Sequence, residues 1–373
     1  MLEVDREQVL AYRIAAQGLH RETGDANSLA VFDLGLQSTM RDTAAVSLVA
    51  RLTGDVGEEP LVDDPRFALA WTHRGAPHFH RTSELSTVTA ALVPIDEADA
   101  MARMQWQRRQ VEAAGMSATD GLFTAARAIR KVVDKPMTKG AVSTAVTKLI
   151  PDGLSYWCRG CGVVHILEQV MRLAAVHGGA RLEAGAFPAT LAPIEGRGRM
   201  RTKPDLAAAT SVVAAYLRLH GPAGPSEAAG FVGTTAAKAK AMWPSELTEV
   251  RVDGRRAFLP PAEVRLLENP PEPDVVRLLP PWDPFLQSRD RATLVPDKAR
   301  QKEIWKILGN PGALLIDGEL AGSWRTKGSG RKRLDFTMSP FWSVPPAARK
   351  AAEAEAERVA ATRGFADLRV AWG

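Results

Sequence analysis

Two cysteines, Cys158 and Cys161, flank Arg159-Gly160, and His165 follows four residues later. That is the spacing of half a zinc knuckle. A structural zinc takes four ligands, and the chain holds no second cysteine pair. The set therefore reads as a tight hairpin tip with free or occasionally oxidised thiols, and no metal is expected. His78 and His80 fall on one face of a predicted strand, with His73 close by. Two histidines do not make a metal site, so core or surface placement is expected. Trp282-Asp283-Pro284-Phe285 and Arg289-Asp290-Arg291 form a dense cluster. Trp282 and Phe285 read as core, and the two aspartates as partners of the neighbouring arginines. There is no nucleophilic triad, phosphate loop or dinucleotide fingerprint.

What the sequence does concentrate is positive charge. Residues 323–335 carry Arg325, Lys327, Arg331, Lys332 and Arg333 around a Gly-Ser-Gly tip. Such a hairpin is either a solvated edge or a probe that reaches a groove of a polyanion, and the density of cations favours the probe. Arg197, Arg199, Arg201 and Lys203 form a second basic run. The net charge is +5 over 373 residues, a mild excess that fits a nucleic-acid partner. No apolar run approaches the roughly 20 residues of a membrane span. With two cysteines and no basic-then-apolar leader in MLEVDREQVL, a cytoplasmic, nucleoid-associated location is expected.

The elements that must position these residues are legible in part. Ser226 opens a short helix over 227–231, Gly233 breaks it, and Thr234 caps a second helix over 235–243 that carries Lys238 and Lys240. Pro244 stops it. Residues 247–252 and 255–259 alternate as strands around Asp253-Gly254, a strong hairpin signal because the turn requires positive φ at both central residues. Helix, turn, helix and hairpin make a winged-helix unit, a fold that reads duplex DNA. Alanine and lysine on its second helix point to phosphate contact rather than base readout, and Arg251, Arg255 and Arg256 lie on the wing. A helix over 138–150 followed by strands at 154–157 and 163–166 repeats the theme, with Arg159 at the tip in phosphate reach. A more diffuse copy falls in residues 1–85, where Asp5 and Gln8 form a capping signal. A polar helix is expected over 97–114, and a charged helix over 345–363 is expected to pack along the outside. The expected fold class is therefore α+β: about three tandem winged helix-turn-helix modules, at 1–115, 116–200 and 201–272, with a small β-rich unit and terminal helix at 273–373.

Five blocks carry a family likeness: residues 34–44 (LGLQSTMRDTA), 69–81 (LAWTHRGAPHFHR), 158–175 (CRGCGVVHILEQVMRLAA), 278–291 (LLPPWDPFLQSRDR) and 312–325 (GALLIDGELAGSWR). In order and over nearly the whole chain, they resemble the bacterial winged-helix family of AlkZ and YcaQ, DNA glycosylases that remove bulky alkylpurines and unhook crosslinks. The resemblance implies winged-helix modules lining a basic concave surface shaped for duplex DNA. It also implies monofunctional base excision without metal or cofactor. A site on an open surface, with the glutamine exposed toward the sugar, is a further expectation. The family's triplet is Gln–apolar–Gln or Gln–apolar–Asp; here it reads Gln37-Ser38-Thr39. Gln37 carries over, while Thr39 stands where an amide or carboxylate is expected.

Cleaving an N-glycosidic bond passes through a sugar cation, which needs a placed water and a held base. A purine alkylated on its imidazole ring is already cationic and leaves readily, so neutral groups that orient water can suffice. Gln37 and Thr39 can each accept a hydrogen bond from that water, and Asp42 could add negative charge near the sugar. Alternatively Gln37 and Thr39 brace the following helix, and Asp42 is a residue favoured by its dipole. A non-catalytic winged-helix DNA-binding protein or regulator, or a protein-binding scaffold, remains the competing reading.

Overall fold

The computed structural model describes residues 2–40, 42–330 and 332–373. It is a mixed α+β structure whose backbone contacts divide into two units, residues 1–64, 215–227 and 245–373 in one and 65–214 with 228–244 in the other. The chain passes between them several times, so the compact units do not coincide with the consecutive segments 1–115, 116–200, 201–272 and 273–373. Among the described residues no helix is long and apolar enough to cross a membrane.

In the first unit, the capping signal at the N-terminus is realised. Asp5 Oδ1 accepts from the Gln8 amide at 2.8 Å, and the Gln8 side chain accepts from the Asp5 amide at 3.2 Å, opening the helix Arg6–Ala16. The predicted hairpin forms as Thr248–Val252 and Arg255–Leu259, with Asp253 and Gly254 at φ 48° and 75°. It gains an unforeseen third strand, Leu2–Val4, parallel to Thr248–Val252. Val4, Val9, Tyr12, Val250, Leu259 and Leu267 close a small core around this sheet.

The C-terminal β-rich element is a five-stranded sheet in the order Val276–Leu279, Gly312–Ile316, Glu319–Ser329, Arg333–Pro340 and Asp367–Trp372. The last strand, parallel to its neighbour, was not foreseen. Gly312 is required where it stands: a Cβ there would lie 2.2 Å from the Trp324 ring. The indole is buried, and its Nε1 donates to the Leu279 carbonyl at 3.0 Å. The charged helix Pro346–Thr362 packs one face inward and leaves the other exposed. Ala352, Glu355, Ala356, Val359 and Ala360 are buried, packed against Val276–Leu279 and the helix Thr43–Val49. An alanine-rich face lets a helix approach closely even when its overall pattern is polar.

Two ion pairs, one buried and one partly buried, join sequence-distant segments of this unit. Both nitrogens of the Arg51 fork donate to Asp283 at 2.8 Å, with each side chain fully buried. Arg51 also donates to the carbonyls of Gln17 and Ser47, each at 2.9 Å. Arg13 holds Asp290 at 2.7 and 3.1 Å. The aspartates thus pair far along the chain rather than with neighbouring arginines. Phe285 is core as expected, but Trp282 is 38 % exposed and takes a positive φ of 68°. That turn aims Asp283 inward and leaves the indole at the surface.

In the second unit, strands Pro77–Arg81, Phe67–Trp71, Ala180–Leu182, Thr190–Pro193 and Met137–Thr138 follow one another in a sheet. Beside them stand the helices Ala118–Val132, Lys139–Thr147 and Glu168–His177 around a core of Leu122, Ile129, Val142, Val146, Leu167 and Met171. The polar helix expected over 97–114 is broken: Glu97–Arg103 and Arg108–Ala113 are separated at Gln105, whose φ is 47°. The helix Ala236–Ala241 is capped by Thr235, not Thr234. The Thr234 hydroxyl donates instead to Asp99 Oδ1 at 2.5 Å.

Removing one partner of a buried ion pair strands the other charge, at a cost of about 3–5 kcal/mol. We expect Asp283→Ala to lose stability of that order in denaturant unfolding of the full chain. An unfolding free energy within about 0.5 kcal/mol of the parent, the usual range for surface substitutions, would show that the pair does not hold the fold.

Candidate active site and nucleic-acid interface

Gln37 closes the two-residue strand Leu36–Gln37, and the helix Thr43–Val49 follows. Its side chain is only 5 % exposed, so the chain does not present the open glutamine that was expected; Thr39 is the exposed member. Gln37 Nε2 donates to Thr39 Oγ1 at 2.6 Å. Gln37 Oε1 is buried with no hydrogen-bond partner among the described residues. An unsatisfied buried carbonyl costs about 1–3 kcal/mol, a cost that an incoming donor would remove.

Asp42 sits at the N-cap position of the same helix without capping it. Its carboxylate is ion-paired with Arg363, so its negative charge is offset and not free to face a sugar. The same guanidinium donates to Thr326 Oγ1 at 2.7 Å and lies 5.6 Å from the Trp324 ring centre. Arg363, at the end of the C-terminal helix, therefore ties the segment after Gln37 to the root of the basic hairpin. Sequence reasoning missed it because its partners lie at positions 42, 324 and 326.

The basic hairpin is real and longer than expected: Glu319–Ser329 pairs with Arg333–Pro340. Arg325 pairs across from Thr337 and Lys327 from Asp335, all on one face. Trp324, Leu334, Phe336 and Met338 are buried. Arg325, Lys327, Lys332 and Arg333 are exposed, and Arg331 lies outside the described residues. Arg325 donates to the Gly309 carbonyl at 2.6 Å, and Arg333 pairs with Asp335 at 2.9 Å.

The other expected phosphate contacts divide. Lys240, Arg255 and Arg159 are exposed. Lys238 is ion-paired with Asp96, a partner its helix did not disclose. Arg256 meets Glu249 at 2.6 Å and packs 5.0 Å from the Phe258 ring centre. In the second basic run, Arg197 is a brace, donating to the carbonyls of Val133 and Arg130 at 2.9 and 3.3 Å.

Three histidines, His73, His78 and His80, are buried together in the second unit, and the Thr72 hydroxyl lies 3.0 Å from a ring nitrogen of both His78 and His80. Burial holds all three neutral, with His80 pushed down to about 3. His177 is lowered to about 4 by burial and then by Arg103. A cavity of about 10 Å³, room for about one water, is lined by Thr72, Arg103, Met104, Leu173 and His177. It contains none of the candidate catalytic residues and is far from base-sized. At the tip of the hairpin Ser155–Cys158 and Val163–Ile166, Cys158, Cys161 and His165 bring their ligand atoms within 4.8 Å of one another. The Cys158 thiol is lowered to about 7, first by a hydrogen bond with His165 and then by the Cys161 amide.

Over 100 % of both chains the structure matches the Streptomyces sahachiroi DNA glycosylase AlkZ, with a TM-score of 0.77 at 21 % identity. At that identity the match establishes a shared fold. The family follows from the sequence: residues 34–362 match the family described as DNA glycosylase AlkZ-like. The chain belongs to the AlkZ-like DNA glycosylase family, and its function is that of a DNA glycosylase acting on DNA. No curated protein sequence matches it.

The buried histidines set an acid limit. Their folded pKa values lie below the ordinary 6.5, so the folded chain binds fewer protons than the unfolded chain between about 4 and 6.5. Their contribution is complete above 6.5 and is lost as pH falls toward 4 and then 3. We expect thermal stability to drop between pH 6.5 and 4.5, above the main carboxylate range, and His177→Phe to flatten that slope. Stability flat across this window in the parent chain would refute the assignment.

Proposed function

We propose that this glycosylase excises cationic alkylpurines, bulky or crosslinked adducts among them, from duplex DNA. In this reading Gln37 places the attacking water and Thr39 orients Gln37. One observation carries it: the Gln37 amide is pinned through Nε2 to Thr39, leaving Oε1 as a buried acceptor without a partner among the described residues. A threonine in place of the family's second amide or carboxylate keeps an acceptor and shortens its reach.

The C1′–N bond breaks with its electron pair moving to the purine, which neutralises the positive charge on the ring. Water attacks C1′, and its proton passes to solvent, since an amide accepts a hydrogen bond but not the proton at neutral pH. A leaving group that is already cationic needs neither a general acid nor a metal for this step. The helix-plus-hairpin elements are read as about three winged-helix modules, at 1–115, 116–200 and 201–272, with 273–373 appended. They would grip phosphates through Lys240, Arg255, Arg159 and the hairpin cations. A cytoplasmic, nucleoid-associated location fits this reading.

Incubation with duplex DNA carrying a cationic alkylguanine should give abasic sites. Gln37→Ala should lower the rate by about 10²-fold, the cost of losing one positioning contact, with Thr39→Ala losing less. Abasic product formed undiminished by Gln37→Ala would show that Gln37 only braces its helix. Duplex affinity should fall steeply with salt. Each lost phosphate contact reduces the log–log slope by about 0.9, so Lys327→Ala with Lys332→Ala should reduce it by about 2. An unchanged slope would remove the hairpin from the interface.

A further inference from the structure

We propose that Cys158, Cys161 and His165 form a binding site for a thiophilic divalent cation, zinc above all, at the tip of the hairpin Ser155–Cys158 and Val163–Ile166. The register places Cys158 opposite Val163 and Tyr156 opposite His165. Side chains directly opposite share a face and alternate ones along a strand do too, so Cys158 and His165 lie diagonally on one face. The turn supplies the third ligand. The Gly162 amide donates to the Cys158 carbonyl at 2.9 Å, and Gly162 takes a φ of 65°, which folds Cys161 back over the strand ends. Both cysteines are free thiols.

Tetrahedral zinc, with Zn–S of about 2.3 Å and Zn–N of about 2.0–2.1 Å, sets its ligand atoms roughly 3.5–3.8 Å apart. The sulfurs and imidazole nitrogen already lie within 4.8 Å of one another, so chelation asks only for a small closure at an exposed tip. The imidazole is prepared for it. His165 Nδ1 donates to the Ile166 carbonyl at 2.9 Å, so Nε2 is the ring nitrogen that carries the lone pair. This backbone-anchored tautomer is the usual outer-shell support of a metal-bound histidine. The Tyr156 ring packs edge-on to the imidazole, with centroids 4.7 Å apart, and fixes its plane. The Glu168 carboxylate, which acts electrostatically on Cys161, is engaged by Lys139 at 2.7 Å and Arg172 at 2.6 Å, so the fourth position is assigned to solvent. Two thiolates balance the cation, two protons being released to solvent on binding. A bound ion would stiffen the tip between Trp157 and Val163, which are 62 % and 50 % exposed, and hold Arg159 outward.

The test uses the reduced full-length protein and Co²⁺, whose colour reports its ligands. One equivalent should produce sulfur-to-cobalt charge transfer and intense tetrahedral visible bands, and Zn²⁺ should displace them stoichiometrically. Cys158→Ser and Cys161→Ser should each abolish the tetrahedral spectrum. His165→Ala should keep sulfur charge transfer while weakening affinity by more than the roughly tenfold that loss of an outer-shell partner costs. In the unaltered chain, Zn²⁺ should protect both thiols from alkylation, a readout that requires no variant to fold. The proposal is overturned if reduced protein shows no charge transfer, if a Cys158→Ser/Cys161→Ser double variant keeps the spectrum, or if both thiols alkylate equally fast with and without Zn²⁺.

Discussion

The first unit depends on a guanidinium that has been taken out of water. Moving an ion into a protein interior costs several kcal/mol, recovered only if opposite charge and hydrogen bonds meet it with good geometry. Arg51 is met by both oxygens of Asp283 and by the carbonyls of Gln17 and Ser47. No arrangement that withholds Asp283 leaves Arg51 tolerable. Residues near 17, 47 and 283 are therefore brought together as one decision. Arg13 imposes the same condition on Asp290: burial alone would raise that carboxyl, but Arg13 and the hydrogen bonds of Ser288 hold it below its ordinary range. The segment bearing Gln37 lies between Arg13 and Arg51 in the chain, and both its ends are tied to residues 283–290.

A second constraint shapes the far side of the site. Gly312 leaves room for the Trp324 ring, and Trp324 in turn offers its face to Arg363. Arg363 then divides its donors between Asp42 and Thr326. One side chain thus couples the helix after Gln37-Ser38-Thr39 to the base of the cationic hairpin. Gln37 and Thr39 sit just before that helix, so their position is inherited from contacts at both ends of the chain rather than from their own neighbours.

The distribution of positive charge matters more than its sum. A cation already held by a carboxylate or a carbonyl must give up that contact before it meets a phosphate, so Lys238, Arg256 and Arg197 contribute chiefly to the protein's own architecture. Exposed Lys327, Lys332, Lys240, Arg255 and Arg159 carry no such debt in the contacts described. A net charge of +5 therefore understates the local field on the hairpins and overstates it on the short helix Ala236–Ala241.

By itself the sequence determined what is decided within a few residues: the Asp5–Gln8 cap, the Asp253-Gly254 turn, the two hairpins and the placement of Gln37 before a helix. It also carried the family, because the ordered blocks around Gln37, the histidines and residues 278–291 are specific as a set. Tertiary structure alone decided that Leu2–Val4 joins the hairpin Thr248–Leu259, that Asp367–Trp372 extends the large sheet, and that an apparently charged helix is half buried. It likewise chose Arg51, Arg13 and Arg363 as the partners of Asp283, Asp290 and Asp42. Local signals arise from backbone geometry and neighbouring side chains. Parallel pairing and buried charge depend on residues up to about 300 positions away, whose meeting is fixed by the whole core and leaves no trace in local periodicity.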